Sequence, residues 1–548
     1  MPATIGAYLL YRLKQLGVQH IFGIPGDFVL GFNKMIEDTS DIEFINTCDE
    51  QGAGFAADAY ARLRGLGVVC ITYCVGGLKV TNPVAEAYAE KSPVIVISGA
   101  PGLNEREKNP LLHHKVRDFD TQKKIFDELT VASTVITDPK TAVAEIDRVI
   151  QAALDQKRPV YIELPRDMVF QAIPTGSYSA PLPKKPDGVS EAFSEALKEA
   201  VAMIRTSTRP AILADVEIHR FGLQEKVIAL AEYLNIPIAA TVLGKSVVAE
   251  THPLYMGVYE GGLGNDAVRD YVESSDCLLM LGVFMTDMNL GVFTANLDPS
   301  RSIYLTSEKL SIKHHHFDDI SMPQFIDGIM TADLSRKPMG VIPRPPEWRQ
   351  FSSEPGPITV RRMFDAINSN LTRDMVVVAD VGDALFGAMD LVIRSNTEFL
   401  SPAYYASIGF AVPASIGAAM ACPELRPIVI VGDGAFQMTG NELSTIARYG
   451  LNPIVIILNN GGYGTERPML DGKFNDIFNW NYSRLPEILN SGFGAKVKTE
   501  HDFVTALRRA VSDTSQFHLI EVILGRDDRS DALNRLTQGL GARIQRAT

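Results

Sequence analysis

The sequence predicts an α/β protein made of three doubly wound, parallel-sheet domains, and three observations lead there. Its 548 residues are more than one hydrophobic core organises, since domains run to roughly 100–200 residues. Helix-period segments alternate with short β-branched runs along the whole chain, the pattern of βαβ units whose parallel strands are covered on both faces. Two proline-rich stretches, Ala172 to Gly188 and Lys337 to Glu347, interrupt the alternation, because proline continues neither a helix nor a ladder.

The first domain, residues 1–175, opens with an amphipathic helix at Ala7 to Leu16 and an extended Gln19 to Gly23. An Ala-rich helix at Glu50 to Arg62 follows, with strand runs at Val68 to Thr72, Pro93 to Ser98 and Pro159 to Leu164. In the middle domain, 190–335, Glu191 to Arg205 and Leu223 to Leu234 have the helical period. Ala211 to Ala214, Ile236 to Thr241, Cys277 to Leu281 and Ser302 to Leu305 read as strands. The third, 355–548, starts near Ile358 and carries strands at Met375 to Val378, Ile428 to Val431, Pro453 to Leu458 and Leu519 to Val522. No short-period repeat suggests a solenoid or propeller.

Composition excludes several classes. With 46% hydrophobic and 21% charged residues, the chain is neither disordered nor collagen-like. Lys+Arg 52 against Asp+Glu 65 leaves −13, which disfavours phosphate backbones and anionic membrane surfaces, so no nucleic-acid partner is expected. The apolar runs are strand-length, short of the roughly 20 residues that span a bilayer, and Met1 to Tyr8 does not read as a secretory signal. Cys70 and Cys74 have no second pair in zinc spacing; buried reduced thiols and a cytoplasmic location are the expectation.

The chemistry concentrates in the third domain. Pro427 to Val431 is a β-branched strand, Gly432-Asp433-Gly434 a turn, and a helix follows to about Tyr449; the next strand ends in Asn459-Asn460. In a right-handed βαβ unit, Asp433 and Asn460 lie at the carboxyl ends of neighbouring parallel strands. A carboxylate and a carboxamide are hard oxygen donors suited to Mg2+, which keeps phosphate oxygens among its ligands. Gly432 and Gly434 let backbone amides approach such a phosphate at a helix N-terminus. Strand-to-helix turns also use Gly and Asp for capping alone; the Asn-Asn at the next strand end selects the Mg2+–diphosphate reading. Two competing nucleotide motifs fail. Leu243-Gly-Lys-Ser lacks the upstream glycine of a phosphate loop, Ala239 standing there, and Gly261-Gly-Leu-Gly follows no convincing strand. His314-His315-His316 has no accompanying ligands and reads as surface.

Gly-Asp-Gly followed by Asn-Asn resembles the motif by which thiamine diphosphate enzymes hold Mg2+ and the cofactor's diphosphate. Phe22-Gly-Ile-Pro-Gly-Asp27, Glu50, His113-His114, Ser407-Ile-Gly409 and Tyr463-Gly-Thr-Glu466 are similar to the 2-oxo acid decarboxylase branch, which contains pyruvate, indolepyruvate, phenylpyruvate and branched-chain oxo acid decarboxylases. The resemblance runs nearly end to end and implies a pyrimidine-binding, a middle and a diphosphate-binding domain. It implies that Asp433, Asn460 and the carbonyl of Gly462 bind Mg2+. Asp383 and the amides around Gly432, Gly434 and Ala435 would hold the diphosphate, with Ala406 and Ile408 against the cofactor. Glu50 would act on the aminopyrimidine from a neighbouring subunit, in a homodimer-based homotetramer. Asp27, His113, His114 and Glu466 would carry protons after CO2 loss. Alone, Glu50 is an ordinary helix N-terminal carboxylate and paired histidines are ordinary loop residues.

Val381, Leu385, Thr465, Met469 and Met288 match the family's substrate pocket, and their modest size suggests room for aromatic, branched or longer 2-oxo acids. Leu385 and Met469 read equally as core side chains. Thr465 and Val381 depart from the residues usual there, which leaves the pocket's shape open. Pyruvate decarboxylation, carboligation of the acetolactate synthase type and a noncatalytic cofactor-binding role stay as alternatives.

Overall fold

The computed structural model describes residues 3–39, 41–174, 190–345, 350–394 and 398–537. The first proline-rich stretch lies largely outside them, at 175–189, and part of the second does at 346–349.

Three sheets form in chain order. The first comprises β1 (His20–Gly23), β2 (Glu43–Asn46), β3 (Gly67–Ile71), β4 (Val94–Ala100), β5 (Ser133–Val135) and β6 (Val160–Pro165), ordered β2-β1-β3-β4-β6-β5 and wholly parallel. The second has β7 (Pro210–Ala214), β8 (Ile238–Ala240), β9 (Tyr255–Val258), β10 (Cys277–Leu281), β11 (Ser302–Leu305), β12 (Leu310–Ile312) and β13 (His315–Phe317), ordered β13-β12-β11-β10-β7-β8-β9. The third has β14 (Met375–Ala379), β15 (Phe399–Leu400), β16 (Arg426–Gly432), β17 (Ile454–Asn459), β18 (Phe493–Val497) and β19 (His518–Ile523), ordered β15-β14-β16-β17-β19-β18. Every residue of β3, β4, β6, β7, β10, β14 and β17 is buried, as expected of parallel strands with helices on both faces.

Three expectations are corrected. The middle sheet is not entirely parallel: β11, β12 and β13 pair antiparallel, since three-residue strands joined at Lys313 (φ 53°) are too short to show a period. The exposed His315 and His316 lie on that edge strand, on Glu199 Oε2 at 2.8 Å and Ser311 Oγ at 2.8 Å. The helix after Gly434 does not run unbroken to Tyr449; it divides into Asp433–Thr439, a 3-10 turn at Gly440–Glu442, and Leu443–Arg448, because Gly440 and Asn441 are poor helix formers. A strand, β9, does precede Gly261, hidden in the sequence by Gly257 at φ 134°. The glycines after it serve their own packing: a Cβ at Gly261 would lie 2.7 Å from Leu290 O. Part of the second proline-rich stretch is docked, Lys337 Nζ donating to Arg205 O at 3.0 Å and Ser207 O at 2.9 Å.

The chain forms two compact units, Met1–Lys185 with Tyr405–Pro427 and Gln437–Pro453, and Pro186–Tyr404 with Ile428–Phe436 and Ile454–Thr548. Helix Ala411–Ala421, which the sequence reading placed in the third domain, thus belongs to the first unit. Its residues are apolar or small on every side and nearly all buried, and such a helix needs burial all round. It finds this against helix Glu50–Arg64, so closely that a Cβ at Gly417 would lie 1.9 Å from Ala56 O.

In the second unit Lys245, of the rejected phosphate-loop motif, is 3% exposed. Its Nζ sits on Glu250 Oε1 and Oε2 at 2.8 and 3.0 Å and donates to Met389 O at 3.2 Å and Leu391 O at 2.8 Å. It is an internal cross-tie. Among the described residues no helix is long and apolar enough to cross a membrane. Cys70, Cys74 and Cys277 are buried, whereas Cys48 is exposed.

Candidate active site

In the second unit, β16 and β17 pair in parallel with Gly432 opposite Leu458, so Asp433 and Asn460 leave adjacent strands at the same sheet edge. Asp433 is 1% exposed. Its Oδ1 accepts the Gly434 amide at 2.8 Å and its Oδ2 the Gly461 amide at 2.7 Å. Burial pushes its carboxyl up to about 6, against the pull of the Gly461, Gly434 and Gly462 amides. Asn460 Oδ1 is buried and has no hydrogen-bond partner among the described residues, which a folded chain rarely tolerates without a ligand or water.

The loop after Asn460 holds the rest of this edge. A Cβ at Gly462 would meet Asn475 O at 2.0 Å, and its φ is 154°. The buried Arg467 donates to Asp471 Oδ1 at 3.1 Å and Asp476 Oδ1 at 2.9 Å, and reaches the Gly461 and Asn475 carbonyls at 3.4 Å. Gly434 lies under the Tyr463 ring, 2.7 Å from where its Cβ would be, while Gly432 faces open space. Ala435 is buried. Asp383 accepts the Ser530 amide at 3.0 and 3.2 Å, and burial raises it to about 6. Thr465 stands beside the Val381–Gly382 turn, its Oγ1 2.6 Å from a Cβ placed on Gly382. Val381, Thr465 and Met469 are half-buried and Glu466 is exposed. Leu385 is 1% exposed in the core around β14, and Met288 packs against Leu263, Val292 and Phe386.

The first unit holds the other expected residues. Asp27 and the two histidines, remote in sequence, converge: His113 Nε2 is 2.7 Å from Asp27 Oδ2 and His114 Nε2 3.9 Å from Oδ1. Phe28 stacks on His113 at 4.7 Å, and His114 has a positive φ of 66°. Glu50 opens helix Glu50–Arg64 behind the N-cap Asp49, whose side chain accepts the Gln51 amide at 2.8 Å. Glu50 is 8% exposed, with Oε2 2.9 Å from Lys79 Nζ. Asp49 also pairs with Lys79, and these carboxylates raise the lysine, Asp49 foremost. Ala406 is exposed at φ 61°, and Ile408 is half-buried after Ser407, whose Oγ accepts Asn82 Nδ2 at 2.6 Å.

Sequence reasoning missed Lys79, Arg467 and Glu442. No spacing marks the first two. Glu442 stood in the Gly-Asn-Glu-Leu run after the Gly-Asp-Gly turn, where only its burial makes it visible.

Comparison with known proteins bears on the whole chain. "Thiamine pyrophosphate enzyme, N-terminal TPP binding domain" matches residues 3–124, the central domain of the same enzymes 197–332, and their C-terminal TPP binding domain 380–522. An indole-3-pyruvate decarboxylase of Azospirillum brasilense is 38% identical over 542 residues, covering 97% of each chain. An alpha-keto-acid decarboxylase of Mycobacterium tuberculosis (strain ATCC 25618 / H37Rv) is 36% identical over 95% of this chain and 94% of its own. One of Mycobacterium avium (strain 104) is 34% identical, with 95% and 94% covered. With its three α/β sheets and near end-to-end likeness, the chain belongs to the thiamine pyrophosphate (thiamine diphosphate) enzymes and is a 2-oxo acid decarboxylase.

Proposed function

We propose that the enzyme converts bulky 2-oxo acids, aromatic, branched or longer-chain, to the aldehyde and CO2 without oxidation, using Mg2+ to anchor its cofactor. The observation that carries the metal is the buried Asn460 Oδ1, without a hydrogen-bond partner among the described residues, at the same strand edge as the buried Asp433 carboxylate. A spare amide oxygen and a carboxylate are a donor set that fits Mg2+. Asp433, Asn460 and the Gly462 carbonyl hold it. The amides at Gly432, Gly434 and Ala435, at a helix start, take the diphosphate. Asp383, already accepting Ser530 N, shapes that pocket's wall. Ile408 and Ala406 support the cofactor.

When bound, thiamine diphosphate supplies the electron sink for the pair left as CO2 departs, which no side chain can provide. Glu50 holds a proton in a hydrogen bond with the aminopyrimidine ring, reaching its site across a subunit interface, so the working form is a dimer or a tetramer built from dimers. The reaction consumes one proton per aldehyde released. Asp27 with His113 and His114, and Glu466, hold and pass that proton; the 2.7 Å contact of His113 with Asp27 orients the imidazole for such general acid-base work. Val381, Thr465 and Met469, which are half-buried, and Leu385 and Met288 are of modest size, which leaves room for larger chains. The indole-3-pyruvate named for the Azospirillum relative supports that size. The buried thiols accord with a reducing cytoplasm.

An aldehyde assay on phenylpyruvate, indolepyruvate, branched-chain acids and pyruvate, with and without thiamine diphosphate and Mg2+, tests the reading. The larger acids are expected to lead. A dominant preference for pyruvate would overturn the size argument, and acetolactate or acetoin as main product the reaction type. Cofactor binding without CO2 release would leave only a binding protein. Asp433→Ala should lose Mg2+-dependent cofactor on gel filtration, and normal retention would remove the metal site.

A further inference from the structure

Glu442 is fully buried in the first unit, on the 3-10 turn where the helix after the Gly-Asp-Gly motif breaks. Its carboxylate accepts the Cys48 amide on both oxygens at 3.2 Å, the Asp49 amide at 3.2 Å and Thr445 Oγ1 at 2.6 Å. Those two amides belong to the residues just before Glu50. Cys48 Sγ adds a bond to Asn441 O at 3.3 Å, so the strap from Asn441 to Thr445 grips the entry to the Glu50 helix. Helix entries carry amides with no partner inside the helix, and a buried carboxylate is a strong acceptor for them. The helix makes room for it: a Cβ at Gly52 would lie 2.1 Å from Glu442 Oε1. Burial raises the Glu442 carboxyl, while Thr445 and the two amides lower it.

We propose that Glu442 is a positioning residue for Glu50: it clamps the Cys48–Asp49 backbone and so fixes the root of the carboxylate that shares a proton with the aminopyrimidine. The proposal rests on that reading of Glu50. Without the clamp two amides lose their acceptor and the turn relaxes, and a shift of about 1 Å in a catalytic group can slow a reaction roughly 100-fold.

The test measures deuterium exchange at C2 of thiamine diphosphate bound to the intact enzyme, without substrate, beside cofactor affinity and thermal unfolding. Glu442→Ala is expected to slow exchange by about 10- to 100-fold with cofactor affinity little changed. Glu442→Gln, whose amide oxygen can still accept both backbone amides, should restore most of the rate. Should Glu442→Ala fail to fold, Gly52→Ala decides, because its methyl displaces the carboxylate without removing it; slowed exchange supports the clamp. Wild-type exchange in a folded Glu442→Ala or Gly52→Ala enzyme, with Glu50→Gln exchanging slowly, would overturn the clamp alone. Wild-type exchange in Glu50→Gln would overturn the reading of Glu50 beneath it.

Discussion

At the scale of single residues, the first unit stores an unusual charge imbalance. Arg62, 6% exposed, meets Asp58 at 2.7 Å and Glu90 at 3.0 Å, with Glu86 farther off at 3.6 Å. Glu86 is wholly buried, and neither of its oxygens has a hydrogen-bond partner among the described residues. Desolvation first, then Asp58 and Glu90, raise its carboxyl well above 4.5, against Arg62. Its folded state therefore keeps a proton that the unfolded chain gives up near 4.5. The stability this group contributes is complete below that pH and is lost as pH rises towards its folded value. Glu86→Gln, which cannot ionise, should unfold at the same denaturant concentration as wild type near pH 4 to 5 and at progressively higher concentration as pH increases. A constant difference across pH would show that Glu86 is already ionised in the fold. None of this was visible in the sequence, where Glu86 is one acid in an Ala-rich helix; Glu90 is just as buried, and what separates the two is that Glu90 pairs with Arg62 and accepts the Tyr405 amide at 3.0 Å.

At the scale of elements, the Asp433–Asn460 edge was readable and its support was not. Two β-branched runs with a Gly-Asp-Gly turn and an Asn-Asn end carry their own strand and turn signals, and β16 and β17 emerge within two residues of expectation. The loop at 461–476 has no periodicity; it is held by Arg467 and by glycines whose task is close approach. Gly462 shows this: φ 154° and an Asn475 oxygen 2.0 Å from any Cβ leave alanine no relaxed position. Gly462→Ala should cost about 1–3 kcal/mol from backbone strain and weaken Mg2+-dependent cofactor retention, read by denaturant unfolding and by gel filtration. Unchanged values in both would mean that the loop adapts freely. Short edge strands such as β2, β5 and β15 escaped sequence reading for a related reason: with three or four residues, or two in β15, no alternation can be counted.

At the scale of the whole molecule, fold class came through because alternation of helix and buried strand is a property of long stretches and survives local errors. The convergence of Asp27 with His113 and His114, 86 positions apart for the closest pair, could be inferred only through family resemblance, since no local pattern brings distant loops together. The allocation of helix Ala411–Ala421 to the first unit was likewise invisible, because chain order does not dictate which core an all-apolar helix joins. The Lys245 cross-tie also operates at this scale. It and Glu250, which accepts the Ile393 amide at 2.8 Å and Tyr255 OH at 3.1 Å, bind middle-domain side chains to the backbone of residues 389–393. Removing one member of such a buried pair costs about 3–5 kcal/mol, and Lys245→Met should split a single urea transition into two. With the lysine intact, a break in the chain between the middle and third sheets would free nothing: the severed pieces should co-migrate in native buffer and come apart only in denaturant, so that the middle sheet behaves as an annex of the catalytic one rather than a detachable module.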